Sequence, residues 1–349
     1  MSDGDARART PSIRDVAASA GVSYQTVSRV LNEHPSIRPE TKQRVLDAMS
    51  ALDYRPNLAA RALVTSRSRT LGVVLGERAE YGPSLSLSAL EDAARANGYW
   101  VNAVHVSDTR EETIRDAVEH LRLQSVEGIV VHAPQVRVFD TIESMSFDVP
   151  IIGLHTADRG VVELAHDQVE AARIATEHLI SLGHSDIVHL AGPQDWIEAE
   201  SRMQGYLQAI ADAELPTLPP LLGDWSADLG YRAGLELSRR LDFTAVFCAN
   251  DAMAIGLMHG FREAGIDVPR RVSVVGFDDV PVAAHTWPPL TTVHQNFAGL
   301  GTRAVRAMLA LIEGAPSAES DEPVIDVRPE LVVRGSTGPA LTRGAQLAR

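Results

Sequence analysis

Cysteine and lysine are nearly missing from this chain. Cys248 is the single cysteine in 349 residues, so no internal disulfide can form. Lys42 is the only lysine among 32 basic residues. Arginine codons are GC-rich, so the bias points to a GC-rich genome rather than to a functional demand. No run of eighteen apolar residues exists, and no membrane span is expected. The opening MSDGDARART has no apolar core of a secretory signal. These absences point to the cytoplasm of a prokaryote. Catalytic signatures are missing too. No Gly-x-Gly-x-x-Gly follows the first apolar run, and there is no P-loop, no Gly-x-Ser-x-Gly and no His-Glu-x-x-His. The twelve histidines are scattered. His105, His132 and His155 fall near predicted strand ends, where solvated or packing roles are the ordinary case. The expectation is a chain that is no enzyme and needs no metal or cofactor.

What is present suggests two or three domains with an ordinary apolar content of 45%. The net charge of −14 is unevenly spread. Residues 1–70 hold eleven basic and seven acidic side chains, a net of +4, which leaves −18 for the remainder. A basic module meeting phosphates and an acidic body that does not would produce this asymmetry.

Residues Ser12 to Leu31, SIRDVAASAGVSYQTVSRVL, read as two short helices joined at Gly21. Ser12 and Asp15 have the spacing of a capping box. Ile13, Val16 and Ala17 give the first helix an apolar stripe. Val27, Val30 and Leu31 do the same for the second. The other face of the second helix carries Tyr24, Gln25, Ser28 and Arg29. This is the pattern of a helix-turn-helix. Gln can pair with adenine and Arg with guanine in the major groove. A small helical hairpin with a merely solvated polar face would share the same periodicity. A third helix is predicted from Pro39-Glu40-Thr41, with Val45, Leu46, Met49 and Leu52 inward.

From Leu71 the pattern changes. Apolar runs LGVVLG, WVNAVHV, GIVVH and PIIGL alternate with helical stretches near 86–97, 111–124 and 136–145. A second series follows, with runs IVHLAG, AVFCA and VSVVGF and helices near 168–182, 198–213, 227–240 and 251–264. Runs rich in β-branched residues suit parallel strands covered on both faces. Two doubly wound α/β lobes are predicted, with a cleft between their carboxyl strand ends.

The stretch AGVSYQTVSRVLN resembles the headpiece of the LacI/GalR family of bacterial transcription regulators. The likeness continues through PSIRPETKQRVLDAMSALDYRPNLAARAL and into the body, at AGPQDWIEAESRMQGY, GDWSADLGY, AVFCANDAMAIG, VSVVGFDD and PPLTTVHQNF. It spans residues 12 to about 337. The fold it implies is an all-α helix-turn-helix headpiece plus an α/β two-lobed, periplasmic-binding-protein-like body of doubly wound parallel sheets. The boundaries it implies are a disordered tail at 1–10, the headpiece at 11–56, a hinge helix and linker at 57–70, and an effector-binding and dimerisation body at 71–337. Within the body the first lobe is about 71–164 and 297–323. The second is about 165–296 and 324–337, and a tail occupies 338–349.

The same resemblance implies site residues. Tyr24, Gln25 and Arg29 would read bases, as in members that bind the lactose operator, so a similar half-site is expected. Ser23, Thr26, Ser28 and Lys42 would position the backbone. The segment from Asn57 to Leu63 would be a hinge helix that folds on DNA, with Leu63 as a minor-groove wedge. In the cleft, Trp225 would stack on a sugar face, with Trp196 as a second wall. Asn250, Asp278 and Gln295 would bond hydroxyls. The chain departs from the sugar-binding members at Glu77, His155 and Glu200, where they carry a small hydroxyl residue, an aspartate and an arginine. A cationic amino sugar attracted by Glu77 and Glu200 is one reading of that departure. A neutral saccharide bound by rearranged polar groups is the other, and it is the one adopted. The function implied is a repressor of carbohydrate-utilisation genes, released from a pseudo-palindromic operator by a small saccharide. The alternative is a corepressor-type regulator answering to a non-sugar or phosphorylated ligand. The tail lacks leucine heptads, so a homodimer rather than a tetramer is expected.

Overall fold

The computed structural model describes residues 11–31, 36–55, 67–76, 81–133, 135–154, 162–163, 167–240, 242–314 and 328–341. The tail at 1–10 and the hinge segment from Asn57 to Leu63 lie outside them. Two units divide at Ser68 and Arg69.

The first unit holds three helices: α1 (Ile13–Ala20), α2 (Tyr24–Leu31) and α3 (Pro39–Ala51). Its capping box is formed. The Ser12 N–H donates to Asp15 Oδ2 at 2.7 Å, and the Asp15 N–H reaches Ser12 Oγ at 3.4 Å. Gly21 closes α1 at φ 63°, a left-handed conformation that costs a Cβ-bearing residue free energy. Val16, Ala17, Ala20, Val27, Val30, Val45 and Ala48 form the core. Leu46 does not join it and is 41% exposed. Residues 45, 48 and 49 share one helical face, and 46 is turned about 100° away from 45.

The second unit starts with β1 (Thr70–Leu75), α4 (Tyr81–Ala96), β2 (Trp100–His105), α5 (Glu111–Leu123), β3 (Gly128–His132), α6 (Val136–Glu143), β4 (Ile151–Gly153) and β5 (Val162–Glu163). Their strands form one parallel sheet in the order β2-β1-β3-β4-β5. The period of two in each strand sorts its side chains between two cores. Leu71, Val73 and Val130 pack with α4. Val74, Ile129 and Val131 pack with α5 and α6.

The chain then crosses into a second lobe: α7 (Gln168–Ser181), β6 (Ile187–Ala191), α8 (Ile197–Asp212), β7 (Leu221–Leu222), α9 (Ala227–Leu237), β8 (Ala245–Cys248), α10 (Asp251–Glu263) and β9 (Ser273–Val275). Its parallel sheet runs β7-β6-β8-β9. Val188, Leu190 and Val246 face α9 and α10, and Ile187, Ala245 and Phe247 face α7 and α8. The doubly wound expectation holds in both lobes.

After β10 (Thr292–His294) the chain returns to the first lobe as α11 (Phe297–Glu313). There Leu300, Ala304 and Met308 join the core beside α4. It crosses again before β11 (Glu330–Val332), which pairs antiparallel with β10. The tail expected from 338 begins later. The Gly338 N–H donates to Ser273 Oγ at 3.0 Å, and the Ala340 N–H donates to Leu182 O at 2.9 Å. Those bonds fix residues 338–341 on the second lobe. No helix among the described residues is long and apolar enough to cross a membrane.

Candidate functional site

In the headpiece, Ser23 precedes α2 and accepts the Thr26 N–H at 3.1 Å, while the two hydroxyls lie 2.9 Å apart. This N-cap stabilises the helix by about 1 kcal/mol and fixes its entry. Val27 and Val30 turn inward, which leaves the opposite face of α2 to Tyr24, Gln25 and Arg29. Tyr24 is 49% exposed, Gln25 and Arg29 are exposed, and Ser28 is half-buried. The periodicity that builds the core therefore leaves hydrogen-bonding side chains on the outer face. Asn57 and Leu63 lie outside the described residues, so nothing is added about the hinge.

In the body, the carboxyl ends of the second lobe's strands carry a buried polar ring. Gln295, just before α11, donates through Nε2 to Asp278 Oδ1 at 2.9 Å. Gln168, the first residue of α7, donates to Gln295 Oε1 at 2.7 Å. Arg202 of α8 donates through Nε to Gln168 Oε1 at 2.9 Å. Its second terminal nitrogen lies 3.7 Å from Asp278 Oδ1, which closes the ring. Arg202 also donates to the Ala249 carbonyl and stacks over Phe277, 3.9 Å from the ring centroid. Such a buried guanidinium is tolerated because Gln168 and the Ala249 carbonyl accept from it and the Asp278 carboxylate faces it.

Burial pushes the Asp278 carboxyl up from its ordinary value. The Arg202 charge and the Gln295 hydrogen bond pull it back, and Glu198 raises it further. Asp251, at the start of α10, is fully buried. It accepts the Val280 N–H at 2.8 Å and the Thr292 hydroxyl at 2.6 Å. Burial first, and the Asp278 charge second, push its carboxyl up to about 8. Asp278 and Trp225 both hold positive φ, 108° and 68°, a strained backbone for side-chain-bearing residues.

Trp225 departs from the expected open platform. It is 5% exposed and belongs to the second lobe's core. Its ring lies where a Cβ on Gly192 would sit, 2.2 Å away. Trp196 meets it edge-on with centroids 5.4 Å apart, and the Arg202 guanidinium lies 5.4 Å from its centroid. Trp225 Nε1 is buried with no hydrogen-bond partner. Asn250 is partly consumed by local structure: Oδ1 caps α10 through the Met253 N–H at 2.8 Å, and Nδ2 donates to Trp225 O at 3.0 Å. One amide hydrogen of Asn250 is left for a ligand by this count.

Glu200 is exposed in the first turn of α8 and takes no part in the buried ring. The acid that bears on Asp278 is Glu198, two residues earlier and buried. Helical geometry explains the difference. Glu198, Arg202 and Tyr206 lie four apart on the inward stripe, and Glu200 is turned about 200° from Glu198. Glu77 and His155 lie outside the described residues. His105 is exposed and His132 buried. Among the described residues no three metal-binding side chains are grouped. Trp196, Trp225, Asn250, Asp278 and Gln295 are thus brought together. Gln168, Glu198, Arg202 and Asp251 join them.

Known proteins share this headpiece and two-lobed body. Residues 12–57 match the family described as bacterial regulatory proteins, lacI family, and residues 176–337 match a periplasmic binding protein-like domain. The lactose operon repressor of Escherichia coli K12 is 34% identical over 303 residues, covering 86% of this chain and 84% of its own. The HTH-type transcriptional repressor PurR of Mannheimia succiniciproducens is 33% identical over 334 residues, covering 93% of this chain and 98% of its own. A lac repressor dimer solved with operator and the anti-inducer ONPF superimposes with a TM-score of 0.85 at 32% identity, over 95% of this chain and 100% of that one. A CelR–cellobiose complex gives 0.66 at 30% identity, over 93% and 99%. These relatives are transcription regulators rather than enzymes. With a helix-turn-helix headpiece, a two-lobed body and relatives matched along nearly its whole length, the chain belongs to the LacI family of DNA-binding transcription regulators.

Proposed function

We propose that this regulator represses carbohydrate-utilisation genes and leaves its operator when a small neutral saccharide enters the cleft between the lobes. The observation that carries the reading is the set of polar side chains converging at one sheet's carboxyl ends: Asp278, Gln295, Gln168 and Asn250 beside the rings of Trp196 and Trp225. Carboxylates and amides bond paired hydroxyls, and indole rings cover the apolar face of a pyranose. The lactose operon repressor and the CelR–cellobiose complex support a sugar by kinship.

The kinship to PurR raises the second reading, a corepressor of another chemistry. A phosphorylated ligand fits this site poorly. Glu198 and Asp251 are buried acids, Asp278 beside them is partly buried, and the buried guanidinium of Arg202 is already bonded to Gln168 and Ala249. An added anion would meet Asp278, whose charge Arg202 already offsets.

On DNA, a homodimer acting in the cytoplasm would set two α2 helices in successive major grooves of a pseudo-palindrome, about 34 Å apart. Tyr24, Gln25 and Arg29 read base edges, while Ser23, Thr26 and Ser28 meet phosphates. In this reading Asn57 also contacts DNA and Leu63 is the minor-groove wedge. A gel shift on a lactose-operator-like duplex, run with and without a panel of saccharides, tests both halves. Release by a sugar supports the reading, and tightening by a phosphorylated compound supports the corepressor alternative.

A further inference from the structure

Gln135 has no role in any reading above. It follows β3 in the first lobe and occupies the cap position of α6, yet its side chain makes no capping bond. It is 4% exposed, and its Oε1 is buried with no hydrogen-bond partner. Turning the amide over would only exchange an orphan acceptor for an orphan donor. A buried amide end left unbonded costs on the order of 1–3 kcal/mol, so its retention calls for a partner.

The position of Gln135 says where that partner comes from. Its backbone forms an isolated antiparallel bridge with Trp196 of the other lobe, and the next N–H, on Val136, reaches Asp195 O at 3.3 Å. The two lobes therefore touch here, at the mouth of the ring of side chains described above. Trp196 in turn packs edge-on against Trp225, whose buried Nε1 also makes no hydrogen bond. Two unsatisfied buried groups, one from each lobe, thus flank one indole. Trp225 offers a donor only, whereas the Gln135 amide offers an acceptor or a donor. A hydroxyl can serve as either.

The geometry points to Gln135 as a specificity-determining residue of the effector site, bonding a saccharide hydroxyl from the first lobe while Trp225 Nε1 bonds another from the second. This inference rests on the saccharide reading and adds a residue to it. The first lobe then contributes a ligand although the family's aspartate position is His155. Bonding from both lobes also makes the 135–196 contact sensitive to occupancy.

The test uses the full chain on a lactose-operator-like duplex, with operator release read by fluorescence anisotropy and the indoles read by intrinsic fluorescence. Lactose, galactose and cellobiose are the probes, together with deoxy derivatives of whichever acts. Gln135→Leu should raise the half-effective sugar concentration about tenfold, leaving unliganded operator affinity unchanged and Tm equal or higher, since the unbonded amide end is removed. Gln135→Glu keeps an acceptor and should stay within about threefold of the natural chain. One deoxy sugar should lose affinity for the natural chain and lose none for Gln135→Leu. If Gln135→Leu fails to fold, Gln135→Glu and the deoxy series on the natural chain still decide the matter. Equal response of both variants, or deoxy losses unaltered by Gln135→Leu, overturns the role of Gln135 and leaves the saccharide reading standing. No response of the natural chain to any sugar overturns the saccharide reading itself, and this inference with it.

Discussion

Gln168 and Gln295, 127 residues apart, share a 2.7 Å hydrogen bond at two of the three places where the chain passes between the lobes. Gln168 opens α7 just after the chain enters the second lobe, and Gln295 lies two residues before α11 returns to the first. Arg202 and Asp278 complete the ring beside the cleft. A ligand that donates a hydrogen bond to Asp278 or bonds the Gln295 amide therefore acts directly on the crossings. That relationship links occupancy to lobe angle without a long path through the core.

Arg202 holds the ring together, and its loss should be severe. Arg202→Met leaves Asp278 buried without its cation, and chemical denaturation should show a loss of about 3–5 kcal/mol. Adding Asp278→Asn removes the orphaned charge, so the double variant should be less unstable than the sum of the two singles. Additive losses in urea titrations would show that the two side chains do not interact.

Gly192 leaves room for the Trp225 ring. A Cβ there would sit 2.2 Å from the indole. Gly192→Ala should shift the Trp225 fluorescence, cost about 1–3 kcal/mol by overpacking, and abolish the sugar response before it abolishes operator binding. Crystallography or near-UV circular dichroism would register the displaced ring.

On the DNA side, Arg29 stands on the exposed face of α2. Arg29→Ala should cost about 1–3 kcal/mol at the specific site and relax the preference at one position of each half-site. Selection of bound sequences from a randomised half-site checks this, and an unchanged preference would remove Arg29 from the reading set.

Stability should fall with rising pH in the neutral range. Asp251 has its carboxyl raised to about 8 by burial and by Asp278, against the ordinary 3.8. The folded state therefore holds a proton that the unfolded state has lost. Stability drops as pH rises toward the folded value, by at most about 1.4 kcal/mol per pH unit. The half-buried His178 and the buried His184 and His189 are lowered by desolvation and act in the opposite sense, but only below their ordinary 6.5. Between pH 6.5 and 8 the acid should dominate. A Tm that falls across that window, and a flatter profile in Asp251→Asn, is the expected result. A flat profile in the natural chain would contradict it.

The architecture was largely legible in the sequence, because each signal was local. Ser12, Asp15 and Gly21 mark α1 by capping chemistry, and runs such as GIVVH mark strands covered on both faces. The site was legible in part. Asp278 and Gln295 follow recognisable strand ends, but their bonding to Gln168 and Arg202 joins residues far apart in the chain, and no spacing announces it. Glu198 was readable from helical phase: Ala199, Tyr206 and Ala209 fix the buried face of α8 and place 198 on it. Position matching alone pointed to Glu200. Short pieces such as Leu221–Leu222 carry no sequence signal, since pairing with β6 rather than apolar content makes them strands.

The central claim is tested most directly by fluorescence anisotropy of the full chain on a pseudo-palindromic duplex with lactose-operator-like half-sites, beside a scrambled duplex of equal length. The account predicts a strong preference for the operator-like duplex, steep weakening with salt, and release of that duplex by one neutral saccharide of the panel. Equal affinity for both duplexes, unmoved by any ligand, would contradict it.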